Sequence, residues 1–569
     1  MKTRFALLGA LAIVAAPVFA QRTIQDLAPE SSVVVIGMDN MGATLDRVRN
    51  GPLAPVFAAK ELADVRAGFD QIGEMLSMME EEMNLPAGSL GAPRGAVGMA
   101  LFTAMNDAYG FDTAGFMVMA DFGDAKALEA IFTMAEDQMG MMGAEIKERD
   151  ILGRRAFAVP LRDPEADVDD DEDDFGGMNM DDPMSMLEPM MVGVDTLFVT
   201  HADGMLLAST NVTVLENALH ALEGRKMRSL RDNTTWHAAV EQSGRADGRV
   251  VVMIDGLLKI ANMQPMMMFM GPTLAQPMRM LGLANIKAMS MSMDMADEGS
   301  MMTQRVGLLL AGERTGLLGL MEPGEASTAV PSFVSADAAS YVRMNFNFNG
   351  LLDLVKAVMA SVPELAMQGE DIMAELEPDL RTLFGNMGRE MHLVTMGDDG
   401  MVVAMRCTDA AKVEGVVAQY APQGGMEPRN FQGHTIYSGD FAPVAIGLGA
   451  GHLFVGPPLA VEDALRAAGL TGEATLAGSP VFKAAASHLG RGPVIGWGYS
   501  DTSSLFTLFS SFVGGMAAGM GEQFGAPMGM APDLPDMAFL KEHIGPSIWR
   551  LEARADGLLL TNRTLPPTR

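Results

Sequence analysis

The sequence predicts an α+β fold of two tandem homologous repeats, each a mixed or antiparallel sheet with helices packed on one face. Three observations carry that expectation. The chain of 569 residues is too long for one ordinary core. Matching segments recur in the same order along its two halves. Hairpin signals outnumber the strand–helix–strand spacing that a parallel sheet requires.

The elements follow from the N-terminus. Lys2 and Arg4 precede a compact apolar run, Phe5 to Ala16, and Val18-Phe19-Ala20 places small residues before Gln21. That pattern predicts a secretory signal over 1–20 with cleavage after Ala20, because the run is shorter than the roughly 20 apolar residues a bilayer span needs. Repeat one is assigned to 21–325 and repeat two to 326–569. Leu27 to Val35, running into Leu45-Asp46-Arg47-Val48, matches Val334 to Val342 running into Leu352-Asp353-Leu354-Val355. Gly115 to Asp121 with Asp124-Ala125 matches Gly400 to Arg406 with Asp409-Ala410, in each case an apolar strand followed by an Asp-capped helix. Arg149 to Gly153 with Phe157 matches Arg429 to Gly433 with Tyr437, a strand turning into its partner. Leu207 with Leu215-Glu216 matches Leu453 with Val461-Glu462, after hairpin turns at Asp203-Gly204 and Ala450-Gly451. Trp236-His237-Ala238 matches Phe482-Lys483-Ala484 as the apolar face of a helix. Glu298-Gly299 to Arg305 matches Asp556-Gly557 to Arg563 as a closing hairpin.

The spacing between matching segments shrinks after the Gly153/Gly433 pair, so repeat one holds a segment that repeat two lacks. Composition places it at 163–191, an aspartate run followed by Met178, Met180, Met184, Met186, Met190 and Met191. Dense like charge with Gly and Pro predicts a solvated loop. Glu172 stands where a calcium loop of the EF-hand type needs glycine. Thioether sulfur suits Cu(I), so these six methionines are the candidate metal ligands and copper is the candidate cofactor; otherwise none is implied. A Cu(I) titration of the full chain beside one lacking 163–191 separates the two readings.

Methionine is abundant throughout, 53 residues against 26 phenylalanines. Met289, Met291, Met293 and Met295 alternate along a strand and are assigned to a core face, with Asp294 outward, because the aligned positions of repeat two hold no metal ligands. Ile260 to Met278 and Thr502 to Gly521 carry no charge. Pro, Gly and Ser dilute them too far for membrane spans, which predicts buried helical hairpins or a pliable groove for an apolar ligand or protein partner.

Formal charge is −32 and no basic stripe interrupts it, which excludes ordinary nucleic-acid binding. Cys407 is the single cysteine, so no intramolecular disulfide forms. The eight histidines show no metal spacing, and no P-loop or nucleophile elbow occurs. Gly447-x-Gly449 lies in a hairpin. Arg305 and Arg563, each near a threonine in its repeat, form a candidate anion cluster, with a salt bridge to a neighbouring strand or exposure to water as the simpler expectation.

The opening "LAPESSVVVIGMDN", the "GFMVMADFGDAKALEAIF" unit and "DNTTWHAAVEQ" before "RVVVMIDGLLKI" resemble a family of exported bacterial proteins known as a domain of unknown function. The resemblance implies an envelope location and an α+β fold, and it lends no catalytic or binding residue. The expectation is an exported protein of the periplasm or cell envelope with a structural or binding role, no catalytic residues and no nucleic-acid partner. Copper binding through the insertion is one alternative. A hydrolase whose groups converge only in three dimensions is the other.

Overall fold

The computed structural model describes residues 22–60, 93–106, 111–133, 147–161, 196–261, 278–295, 299–396, 400–439, 443–501 and 537–567, apart from isolated positions within them, together with a few residues around 80. The signal segment 1–20, the methionine-rich insertion 163–191 and the uncharged stretches 262–275 and 502–521 lie outside the described residues. By packing, the chain divides into two compact units, 1–43 with 76–234, and 44–75 with 235–569.

The first unit holds β1 (Ser32–Met38), β2 (Val97–Asn106), β3 (Phe111–Asp121), β4 (Lys147–Ile151), β5 (Arg154–Pro160), β6 (Thr196–Ala202) and β7 (Met205–Ser209). They pair antiparallel in the order β1-β2-β3-β7-β6-β5-β4. Alternation sends Val33, Val35, Ala100, Phe102, Met117, Met119 and Leu207 to one buried face. Helices α1 (Ile24–Leu27) and α2 (Val212–Leu222) supply Ile24, Leu215 and Leu219 to the same core. Asn211 starts α2 by accepting the Val214 amide at 3.1 Å. Gly98 permits the close approach of α1, since a Cβ there would lie 2.7 Å from Ile24 Cβ.

The second unit contains β8 (Gly248–Met253), β9 (Ile286–Met295), β10 (Met302–Leu310), β11 (Ser340–Asn345), β12 (Met387–Thr395), β13 (Met401–Cys407), β14 (Glu427–Phe431), β15 (His434–Ser438), β16 (Ala445–Gly449), β17 (His452–Gly456), β18 (Gly496–Ser500), β19 (Ser547–Arg554) and β20 (Gly557–Thr564). The order is β8-β9-β10-β20-β19-β18-β11-β12-β13-β17-β16-β15-β14, again antiparallel at every pairing. The fold is therefore α+β with a large antiparallel sheet.

Local chemistry explains the tight turns. Leu152-Gly153, Asp203-Gly204, Gln432-Gly433 and Ala450-Gly451 each place two successive residues at positive φ, the conformation of a two-residue type I′ hairpin. Asp150 Oδ1 accepts the Gly153 amide at 2.9 Å, and Asn430 Oδ1 accepts the Gly433 amide at 3.2 Å.

Helices cover both faces of the second sheet, not one as expected. On the first face lie α3 (Thr234–Ser243), α7 (Pro458–Ala467) and α8 (Pro480–Ala486), and on the other α4 (Phe348–Ser361), α5 (Pro363–Gly385) and α6 (Ala410–Tyr420). The strands have apolar residues in both directions, so each face needs cover. Trp236 and Phe482 are 2% exposed, core residues as the helix pattern implies.

The methionine strand corrects the sequence reading. On β9 Met289 and Met291 are 45% and 48% exposed, whereas Ser290 and Ser292 are buried. Helix α3 packs on the serine side, where Ser292 Oγ donates to the Ser243 carbonyl at 3.2 Å. Facing Ser290 is Gly307, and a Cβ there would lie 2.4 Å from Gln242 Oε1. The helix needs a floor of small side chains, and this requirement turns the bulky methionines to the opposite side. Asp294 is correspondingly not outward: its side chain is 13% exposed and paired with Arg305.

Candidate functional site

A cross-strand row on the first face of the second unit organises its polar chemistry. Direct register partners run Arg249, Ser292, Arg305, Thr561, Arg550, Trp497, Arg343, His392, Ala404 and Phe454. Directly opposed residues share a face, so four arginines line up on a side partly covered by helices.

Between α3, the end of α8 and the β10–β20 seam lies a cavity of about 360 Å³. Its wall includes Arg245, Arg305, Arg550, Arg554 and Arg563, with Gln242, His488 and Thr561. Among the described residues the acids are fewer: Glu241 on the wall, with Asp294 and Glu552 pairing its arginines. A surplus of guanidinium thus lines one hollow of a strongly acidic chain.

Two of these arginines are held in place by carbonyls that follow helix ends. Arg305 Nη1 donates to Asp294 Oδ2 at 2.5 Å and to the Arg245 carbonyl at 3.3 Å. Arg550 Nη1 donates to the Leu489 carbonyl at 2.6 Å, and its Nη2 to Glu552 at 2.6 Å and to the Arg491 carbonyl at 3.3 Å. Cations are favoured at these exposed carbonyls because the helix dipole and unpaired C=O groups are negative there. Gly244 and Gly490, at φ 72° and 73°, make the turns that present the carbonyls. Arg550 Nε is buried without a hydrogen-bond partner among the described residues, and so is Gln242 Oε1. Such fixed, forked donors suit the oxygens of a carboxylate or phosphate.

A second cluster is drier. Tyr341 Oη and His392 Nδ1 are 2.9 Å apart, and both residues are buried. The His452 ring lies 5.5 Å from His392 and 4.9 Å from Phe333, and His452 Nδ1 donates to the Ala450 carbonyl at 2.8 Å. Burial, reinforced by His452, holds His392 down to about 3, and burial also lowers His452. Desolvation pushes the Tyr341 hydroxyl above its ordinary range. Both imidazoles are neutral near pH 7, and Phe333 and Phe454 pack around them, so this is a core polar cluster.

Of the sequence-derived candidates, Arg305 and Arg563 meet at the cavity, and Arg305 also makes the expected pair across to the neighbouring strand. Thr561 lines the hollow, whereas Thr303 is buried with its hydroxyl 2.9 Å from Ser300. The candidate copper ligands Met178, Met180, Met184, Met186, Met190 and Met191 lie outside the described residues. Cys407 is half-buried at the end of β13, and burial raises its thiol pKa. Gly447 and Gly449 give close approach to α7: a Cβ at either would clash with Val461 or Leu465. Among the described residues no group of three His, Cys, Asp or Glu is placed to hold a metal, and no helix is long and apolar enough to cross a membrane. Sequence reasoning missed Arg550, Gln242 and His488, and the His392–His452 approach, since none has a local motif.

No family model matches the chain, and no curated protein matches it. A solved structure, crystal form I of TP0453, is similar at 12% identity and a TM-score of 0.23, covering 43% of this chain and 81% of that one. A likeness of that size carries no inference about function.

Proposed function

We propose that the chain is an exported, non-enzymatic envelope protein, built from a duplicated α+β unit, that binds a small anion in the arginine-lined cavity. The carrying observation is the concentration of Arg245, Arg305, Arg550, Arg554 and Arg563 around one hollow in a chain of formal charge −32.

Duplication is supported by strand order. The succession β1-β2-β3-β7-β6-β5-β4 recurs as β11-β12-β13-β17-β16-β15-β14, and the closing hairpins β9–β10 and β19–β20 pair through β10 and β20. The four left-handed non-glycine residues described fall into two matched pairs, Leu152 with Gln432 and Asp203 with Ala450. Packing divides the chain at 234/235 and sequence correspondence at 325/326; a repeat boundary and a packing boundary need not coincide.

Among the described lining residues no hydrogen bond joins a nucleophile to a base, and Arg305 and Arg550 are already braced by backbone carbonyls. A rigid set of guanidinium groups serves binding better than turnover. Calorimetric titration with inorganic phosphate, sulfate and small carboxylates tests the reading. At least one anion is expected to bind, with affinity weakened roughly tenfold in Arg245→Gln, whose exposed side chain has no part in the core. No heat with any member of the series would remove the proposal.

A further inference from the structure

The pairing of β10 with β20 is self-complementary. Thr303 faces Arg563, Gln304 faces Asn562 and Arg305 faces Thr561. If the halves are copies, Thr303, Gln304 and Arg305 correspond to Thr561, Gln304's partner Asn562, and Arg563. Each copy's arginine then faces the other's threonine, the arrangement a two-fold axis imposes through the Gln304–Asn562 pair. The helix ends obey the same axis: α3 ends in Gln242-Ser243-Gly244-Arg245, and α8 leads into His488-Leu489-Gly490-Arg491. Gln242 and His488 both line the cavity, as do Gly244 and Gly490. The hollow therefore lies beside the internal axis: the Arg305/Arg563, Gln242/His488 and Gly244/Gly490 pairs line it from both halves, and β19 adds Ile548, Arg550 and Arg554 on one side only.

From this we infer that the ligand is a small dianion with an anionic group at each end, one end held by Arg305 and the other by Arg563. The inference rests on the anion-binding reading and on the duplication. Arg305 and Arg563 are diagonal neighbours on adjacent antiparallel strands, so their backbones stand roughly 7–8 Å apart. A single phosphate or carboxylate engages one guanidinium, whereas a molecule with two such groups joined by a short spacer engages both. The two ends are not identical. Arg305 is braced by Asp294 and the Arg245 carbonyl. On the other side it is Arg550 that reaches the Leu489 and Arg491 carbonyls. Arg550 Nε is a buried donor with no partner among the described residues, and its place on the cavity wall offers a further hydrogen bond to the end held by Arg563.

Calorimetry with a series of straight-chain α,ω-dicarboxylates of increasing length, beside the matching monocarboxylates, decides the matter. The dicarboxylate of best length is expected to bind at least roughly tenfold tighter than its monocarboxylate. Arg305→Gln and Arg563→Gln should each reduce the advantage of that dicarboxylate over its monocarboxylate from roughly tenfold to less than about threefold. Arg305→Lys and Arg563→Lys keep the charge and secure the test should a glutamine variant fail to fold; they should give intermediate losses. Equal affinity for mono- and dicarboxylates at every length overturns the two-ended ligand while leaving the anion site standing. Loss of both ligands together on Arg563→Gln also overturns it, since one arginine would then hold the whole anion. Absence of binding throughout removes both readings.

Discussion

His392 shows how one residue ties the sheet to pH. Its ring is 2% exposed and its pKa is held down to about 3, first by burial and then by His452. In an unfolded chain the same imidazole titrates near 6.5. Between those values the unfolded state binds the proton and the folded state does not. Stability from this site is therefore full above about pH 6.5 and is lost as pH falls toward 3, at up to about 1.4 kcal/mol per pH unit. The groups facing it are His452, Glu390, Arg343 and Arg406. Glu390 favours the charged form, but the arginines and His452 oppose it. Trp236, Trp497 and Trp549 all belong to the second unit, so fluorescence-detected urea unfolding reads that unit. Across pH 6.5 to 4 the midpoint should fall steeply in the native chain and less steeply in His392→Gln. Identical slopes would mean that the buried imidazole does not control acid stability.

At the level of elements, turns were legible and faces were not. A hairpin of two residues demands positive φ at both, so Asp203-Gly204 and Gln432-Gly433 announce themselves through local chemistry. Which face of β9 is covered depends on where α3 packs, and no residue in the strand records that. Hydropathy points Met289 and Met291 inward, but the helix requires the small floor of Ala288, Ser290, Ser292 and Gly307. Three measurements check this assignment. Gly307→Ala should destabilise the second unit by about 1–3 kcal/mol, because the new Cβ would lie 2.4 Å from Gln242 Oε1. Met291→Thr should change stability by no more than about 0.5 kcal/mol. Dilute peroxide followed by peptide mass mapping should oxidise Met289 and Met291 well before Met117 and Met119, which are fully buried. The reverse order would restore the methionines to the core.

For the whole molecule, the cavity joins residues that no local motif connects. Gln242 and Arg305 belong to one half of the sequence, His488, Arg550 and Arg563 to the other, and only strand pairing brings them together. The matches behind the proposed duplication were readable because they recur in order along the chain; the hollow where Arg305 and Arg563 meet was not, because pairing between distant strands has no local signature. Charge then sets how a ligand arrives. The chain as a whole carries −32, and a small anion approaching it meets net repulsion until it is within contact range of the guanidinium groups. Salt shortens the range of that repulsion, the Debye length falling from about 30 Å at 0.01 M to about 10 Å at 0.1 M. Partly buried hydrogen-bonded contacts to Arg305 and Arg550 are screened far less. The association rate constant of a cavity-binding dianion should therefore rise over this range, while its dissociation rate changes less. Stopped-flow measurement makes the comparison, using a salt whose anion is too large for a hollow of about 360 Å³. A rate that falls with salt would show that the local arginine field, rather than the acidic surface, governs the approach.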